Sequence, residues 1–159
     1  MIPKGHKHDW ASMQTYINAH DRVLRQYSKF MDHPRQYQHA RITLNYLLLK
    51  CENILFTTYK GNRVRVDITK DVEIDDSIPK REQARTFGYS YNANRPGLGN
   101  LIRYDSPDPA DEICRAAIPY HHRFHHKHEW TSGVEHILRI SDDAWPHVDE
   151  FLGEVLSKF

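Results

Sequence analysis

The sequence predicts an α+β fold in which an antiparallel sheet of four to five strands is combined with two N-terminal helices and one C-terminal helix. Three observations lead to this prediction. Apolar residues recur every three or four positions near both ends of the chain, apolar and polar residues alternate between positions 54 and 104, and turn sequences divide the alternating part. The chain has 159 residues, of which 39% are hydrophobic and 27% are charged. This composition predicts one globular domain, 1–159, with residues 1–8 as a flexible tail.

Two helices are predicted before the sheet. The first covers residues 10–31, with Asp9 as its cap, because its apolar side chains follow a helical period. Pro34, whose backbone angle suits a first helical turn, opens a second helix that ends near Glu52. Residues 41–49 also fit a strand, because four of their side chains would share one face, and this alternative stays open. Those side chains are Ile42, Leu44, Tyr46 and Leu48.

Two hairpins are predicted in the alternating part of the chain. The first joins residues 54–59 to residues 63–68, and the second joins residues 84–92 to residues 98–104. Alternate side chains of the second strand of the first hairpin are expected to face the terminal helix. They are Val64, Val66 and Ile68.

The rest of the chain is predicted as a loop, an edge strand and a helix. Residues 106–112 contain two prolines and three acids, so we expect a loop there. The histidine-rich segment that follows, residues 119–130, is expected to add an edge strand to the sheet. Ser141 or Asp142 is expected to cap the last helix, which carries apolar residues at helical spacing up to Leu156.

Composition excludes few functional classes. The net charge is +1 with histidine neutral, so binding to nucleic acid would need a local basic patch. No apolar stretch approaches the roughly 20 residues of a membrane span, and the polar first residues lack the apolar centre of a signal peptide. We therefore expect a cytoplasmic protein that does not bind membranes. Cys51 and Cys114, far apart in the sequence, are expected to be reduced and structural.

The histidine-rich segment is the leading candidate for a functional site. Five of the twelve histidines lie within residues 119–130, and imidazole both binds transition metals and transfers protons near neutral pH. In an extended segment, His126 and His128 would share one face, with His125 and Lys127 on the other. A helical turn would instead pair His121 with His125, or His122 with His126. Neither spacing is specific, so a divalent metal held by these histidines, a partner-binding surface and a solvated edge strand all remain open.

Other candidate residues lie on the predicted sheet. Arg103 and Asp105 end a strand at the sheet margin, where Asp105 could orient a histidine or cap a loop. Tyr89 and Tyr91 share a strand face and could stack on nucleic-acid bases or pack in the core. Three further basic residues could contact a phosphate backbone or form an ordinary outer face. They are Arg63, Arg65 and Arg85.

Residues 53–159 resemble the TumE-like family of toxins from toxin–antitoxin modules. The resemblance is carried by a Tyr-x-Tyr strand, a strand ending in Tyr-Asp, a His-His-x-His segment and a terminal amphipathic helix. The sequence differs from the family pattern in having Ser106 in place of Asn and Phe124 in place of Pro. The resemblance implies a toxin that a cognate antitoxin neutralises. The residues that match the family motif are Tyr89, Tyr91, Asp105, His125, His126 and His128.

These observations together predict a toxin-like ribonuclease that uses histidine acid–base chemistry and needs no nucleotide cofactor. RNA carries its own nucleophile in the 2′-hydroxyl, so cleavage requires a base, an acid and a cation beside the phosphate. The base and acid are expected among His125, His126 and His128, and Arg103 or Lys127 would supply the cation. Asp105 would orient an imidazole. The alternatives are a non-catalytic module that binds nucleic acid, metal or protein, and a metal-dependent hydrolase.

Overall fold

Eight strands form one antiparallel sheet in the computed structural model, which describes residues 9–108 and 119–159. Seven of them lie side by side in chain order, β2 to β8, and the short strand β1 pairs with β5. Two α-helices occur in the described residues, one near each end. The elements are β1 (Ala11–Ser12), α1 (Met13–Tyr27), β2 (Gln38–Thr43), β3 (Tyr46–Thr57), β4 (Arg63–Asp75), β5 (Gln83–Arg95), β6 (Gly99–Asp105), β7 (His126–Thr131), β8 (Val134–Arg139) and α2 (Val148–Lys158).

The predicted fold class, a four- to five-stranded sheet with three helices, is therefore wrong. The predicted second helix is instead the hairpin of β2 and β3, which turns at Leu44 and Asn45. In β3, Leu47, Leu49 and Cys51 are buried and the residues between them are more exposed, which is the two-residue period of a strand. Of the apolar residues that gave the helical period, only Tyr37 and Cys51 are buried, whereas Leu44 lies exposed in the turn and Leu48 faces away from the core. β8, which had not been predicted, adds the strand at the other edge.

The core lies between one face of the sheet and the two helices. Val64, Val66 and Ile68 are fully buried, as expected for side chains on the covered face. α2 contributes Phe151, Leu152, Val155 and Leu156, all at 0% exposure, and α1 contributes Tyr16, Val23 and Leu24. Burial of apolar surface on this scale is the main force that holds helices on a sheet. The opposite face of the sheet, here called the open face, therefore carries the polar side chains.

Both helices begin later than predicted. Ser12, and not Asp9, caps α1, and its hydroxyl accepts a hydrogen bond from the Thr15 amide at 3.1 Å. His147, and not Ser141 or Asp142, caps α2, and its amide donates to the Glu150 carboxylate at 2.7 Å. Pro146 disfavours a helical conformation at the residue before it, which explains the late start of α2.

The histidine-rich segment has two parts. Residues Tyr120–Arg123 form a 3-10 turn, and the segment then enters β7, which lies between β6 and β8 and is not an edge strand. Ser132 and Gly133 connect β7 to β8 with φ angles of 51° and 77°, as in the tight turn typical of two-residue hairpins.

Some predictions fall outside the described residues. They include the flexible tail 1–8, the second half of the predicted loop 106–112, and the state of Cys114. Cys51 is a free, buried cysteine. Within the described part of the chain, no helix is long and apolar enough to cross a membrane.

Candidate functional site

Strand register gathers the polar side chains of the open face. Ser90 of β5 lies opposite Asp105 of β6, which lies opposite His126 of β7. Two residues further along the strands, Arg103 lies opposite His128. Directly opposed residues of an antiparallel sheet share a face, so these five side chains lie together although they come from three strands.

A polar cavity of about 300 Å³ opens over this group. The sheet forms its floor, and the 3-10 turn forms one wall. The loop after β6 forms another wall with Ser106 and Asp108. His122 ties the two walls together, because its Nδ1 lies 2.8 Å from Asp108 Oδ2 and its carbonyl accepts a hydrogen bond from the Asp108 amide at 2.9 Å.

Asp105 is held in a fixed orientation at the centre of the cavity. Arg103 contacts both carboxylate oxygens, with Nε 2.7 Å from Oδ2 and a terminal guanidinium nitrogen 3.0 Å from Oδ1. The Ser90 hydroxyl donates to Oδ1 at 2.7 Å. A two-point contact with arginine fixes the plane of a carboxylate as well as its position.

Two histidines direct their Nε2 atoms toward Asp105. His126 Nδ1 lies 2.8 Å from the Phe124 carbonyl oxygen, and His128 Nδ1 lies 2.7 Å from Glu135 Oε1. Carbonyl and carboxylate oxygens only accept, so each Nδ1 carries the proton and each Nε2 of the neutral ring has a lone pair. Both Nε2 atoms are 3.9 Å from Asp105 Oδ2. The two lone pairs therefore lie beside one carboxylate oxygen.

His121 of the 3-10 turn completes a group of three imidazoles. One nitrogen of each ring, in His121, His126 and His128, lies within 4.8 Å of the other two. Burial lowers the pKa of His126, and burial together with the neighbouring imidazoles lowers the pKa of His121. Both rings are thus biased toward the neutral form that binds metals.

The three imidazoles fit a divalent transition metal. A tetrahedral metal with nitrogens at 2.0–2.1 Å would hold those atoms about 3.3 Å apart, so the rings must close in slightly. In most metal sites a ligating histidine donates its second N–H to a carboxylate or carbonyl oxygen. His128 and His126 make those two contacts here. Side-chain rotation of His121, which lies on the 3-10 turn, can supply the remaining movement.

The other predicted site residues lie elsewhere. His125 faces the helix side of the sheet, where its Nδ1 lies 2.9 Å from the Tyr89 hydroxyl and its ring stacks on Trp145. Lys127 also points to the helix side and contacts Glu129 and Glu154, each at 2.5 Å. As expected for an extended segment, His126 and His128 share one face of the sheet and His125 and Lys127 the other, so the three histidines predicted to supply base and acid do not form one group.

The residues predicted to bind nucleic acid do not form one surface. Tyr91 is fully buried and Tyr89 is 3% exposed, so both rings belong to the core. Arg85 of β5 lies opposite Glu73 of β4, and Arg65 lies eight positions before Glu73 on the same strand. Arg65 and Arg85 are therefore separated by about 27 Å along the strand direction. Glu73 also pairs with the Arg85 guanidinium at 2.8 Å. Arg63, at the start of β4, lies at the same end as Arg65.

Ser90, Asp108 and Glu135 were not among the predicted site residues. A signal for Glu135 was present, because Ser132-Gly133 between alternating segments predicts a tight hairpin that brings Glu135 opposite Trp130 and close to His128. Ser90 carries no such signal, since its place beside Asp105 depends on the register of two long strands. His121 and His122 had been considered only for a helical segment.

Comparison with known proteins gives no relative for this chain. No protein-family model matches it, and searches of curated proteins and of solved structures found no match. The TumE-like resemblance stays a prediction.

Proposed function

We propose that the protein is a metal-dependent ribonuclease and that the cavity on the open face is its active site. His121, His126 and His128 would hold one divalent transition metal ion, with zinc as the simplest choice for three imidazoles. The observation that carries this proposal is the pair of anchored imidazoles whose Nε2 atoms are both 3.9 Å from Asp105 Oδ2. Three protein ligands leave a coordination position open, which distinguishes catalytic from structural zinc sites.

The metal would polarise a phosphoryl oxygen of the substrate. Asp105, held beside the ligands, would accept the proton of the attacking 2′-hydroxyl. The 2′-oxygen forms a bond to phosphorus, the bond between phosphorus and the 5′-oxygen breaks, and the leaving 5′-oxygen takes up a proton from water. Arg103 is half exposed at the cavity and can offer guanidinium N–H groups to the phosphate.

RNA is favoured as the substrate because two features of the cavity match it. The half-exposed Arg103 suits an anionic phosphodiester, and the Asp105 carboxylate beside it can take the proton of a 2′-hydroxyl, the group that distinguishes RNA from DNA. RNA as the substrate would be consistent with a cytoplasmic protein.

A second candidate function is a metal-free ribonuclease in the same cavity. It is favoured by the contact of 2.8 Å between His122 and Asp108, an arrangement in which a carboxylate orients an imidazole for proton transfer. In this mechanism His122 would act as the base or acid, and Arg103 alone would stabilise the phosphate.

Metal analysis separates the two candidates. We expect about one zinc or similar ion per chain in protein purified without a histidine tag, and loss of that ion in the His126→Gln and His128→Gln variants. His136→Gln is the matched control, because His136 is exposed on β8 and lies on the other face of the sheet. Cleavage of RNA that persists unchanged in excess chelator would favour the metal-free mechanism and contradict the metal-dependent one.

We also propose that the protein acts as the toxin of a toxin–antitoxin module, with a cognate antitoxin as its partner. This proposal is supported only by the sequence resemblance described above. Induced expression of the parent should arrest growth, and the double variant His126→Gln/His128→Gln should not. Growth that stops equally with both proteins would show that toxicity, if present, does not depend on the cavity.

A further inference from the structure

Strand β8 is a regular and exposed edge. All six of its residues are exposed, including Val134 at 57%, Ile137 at 41% and Leu138 at 48%. Within residues 9–108 and 119–159, its only strand partner is β7, and the two strands pair without a register shift. An edge of this kind presents a row of unpaired backbone groups that can pair with another strand.

The hairpin determines which backbone groups of β8 face outward. In a two-residue hairpin, Thr131 and Val134 form the hydrogen-bonded pair next to the turn, and the pattern then alternates along the strands. Even-numbered residues of β8 therefore bond to β7, and odd-numbered residues direct their N–H and C=O groups outward. The hydrogen bond from the Ile140 amide to the His125 carbonyl, 2.8 Å long, fits this pattern. The outward groups belong to Glu135, Ile137 and Arg139.

We propose that β8 pairs antiparallel with β8 of a second copy across a two-fold axis at Ile137. Only outward-facing residues can form the hydrogen-bonded pairs, so odd-numbered residues must lie opposite odd-numbered residues. When Ile137 lies opposite Ile137 of the second copy, Glu135 lies opposite Arg139 of that copy. The two-fold axis generates the same ion pair a second time, between Arg139 and Glu135 of the second copy. Registers centred on His136 or Leu138 place Ile137 opposite a charged residue instead. Charge complementarity therefore selects one register.

The other edge strand, β2, is less suited to pairing. It has an irregular register between Arg41 and Thr43. The Arg41 guanidinium also donates to the Thr43 carbonyl at 3.1 Å and to the Leu44 carbonyl, so backbone acceptors at the end of this strand are already occupied. Irregularities and charged side chains are common means of blocking an edge. β8 has a regular pairing surface, which makes it the better site for a second copy.

The proposed pairing would also reach the cavity. Glu135 Oε1 accepts the hydrogen bond from His128 Nδ1, so an arginine of the second copy that pairs with Glu135 would help to fix that imidazole. This consequence rests on the proposed function, whereas the dimer itself does not. Oligomeric state and metal content are measured separately, so either proposal can fail without the other.

Cysteine cross-linking tests both the dimer and its register. Opposed residues of a hydrogen-bonded pair have Cα atoms about 5.5 Å apart, within the range of a disulfide. Ile137→Cys should therefore form a disulfide-linked dimer under mild oxidation. His136→Cys, the neighbouring control, lies opposite Leu138 of the second copy and should not. The parent, which keeps Cys51 and Cys114, should also stay uncross-linked. Cross-linking through position 136 and not through position 137 would overturn the proposed register.

Sedimentation measurements test the pairing without a cross-link. The full-length parent should be dimeric and Ile137→Pro monomeric but still folded, because the lost N–H faces outward at an edge. Arg139→Glu should also be monomeric, and the double variant Glu135→Arg/Arg139→Glu should recover the dimer. A parent that is monomeric at its highest soluble concentration, or an Ile137→Pro variant that stays dimeric, would overturn the proposal.

Discussion

Asp105 has a different role from the three imidazoles around it. Its carboxylate is fixed by Arg103 and Ser90, and it lies beside the proposed metal ligands without being needed to complete a set of three. Removing its charge should therefore affect proton transfer more than metal binding.

The first prediction concerns Asp105→Asn. We expect cleavage of RNA to fall by about 100-fold or more, because a general base typically contributes at least that factor, while the metal content stays unchanged. Initial rates and elemental analysis measure the two effects. Asp142→Asn, an exposed change of the same kind, is the control. Full activity in Asp105→Asn would contradict the assigned role.

The second prediction uses two neighbouring histidines of the 3-10 turn. His121→Gln should lower the affinity for metal by at least 10-fold, because it removes one of three ligands. His122→Gln should leave metal affinity unchanged, because that imidazole contacts Asp108 and stands outside the group of three. Competition with a chromogenic chelator measures both affinities. The reverse result would exchange the roles of the two residues.

At the scale of single elements, β4 shows how far the hairpin prediction extends. The predicted strand of residues 63–68 is confirmed, and β4 continues to Asp75. The predicted inward face is also buried, because strict alternation between Val and charged residues leaves only one orientation.

The third prediction is a loss of stability in Val66→Asp. Val66 is fully buried between Ile54 of β3 and Ala93 of β5, so the new carboxylate would be unpaired in the core. We expect a loss of several kcal/mol, comparable with the whole stability of a small domain. Urea or thermal unfolding measures it, and Thr57→Asp, at an exposed position of β3, is the control. Unchanged melting of Val66→Asp would mean that the strand faces are reversed.

The fourth prediction concerns the ion pairs that join β7 to α2. Hydrogen bonds from Lys127 and then Lys158 lower the pKa of Glu129 from 4.5 to about 2. A lowered folded-state pKa adds stability above the unfolded value, and that stability is lost as the pH falls from 4.5 toward 2. Urea unfolding in that range should show a steeper loss for the parent than for Glu129→Gln. Parallel pH dependence of the two proteins would contradict this assignment.

Local pattern could predict only part of the fold of the whole molecule. Hairpins with strong turn sequences, at positions 60–62 and 94–97, were predictable because the turn and the alternation agree. The segment from Pro34 to Glu52 was not, because its apolar residues fit both periods and sheet pairing with β4 decides between them. Residue type alone pointed to the histidines as site residues. Which of them lie close together depends on strand register and on the position of the 3-10 turn, and neither can be derived from local sequence.

The consecutive strand order has a consequence for how the chain acquires its structure during synthesis. Each strand from β3 to β8 pairs with the strand made just before it, so the sheet can grow by one hairpin at a time as the polypeptide leaves the ribosome. The covering helix α2 comes last, and Trp145, Phe151 and Leu152 are fully or almost fully buried against the finished sheet. Until those residues emerge, the part of the apolar face that they cover stays exposed to solvent. Chaperones that bind exposed apolar surface are therefore expected to bind the nascent chain before α2 has been synthesised.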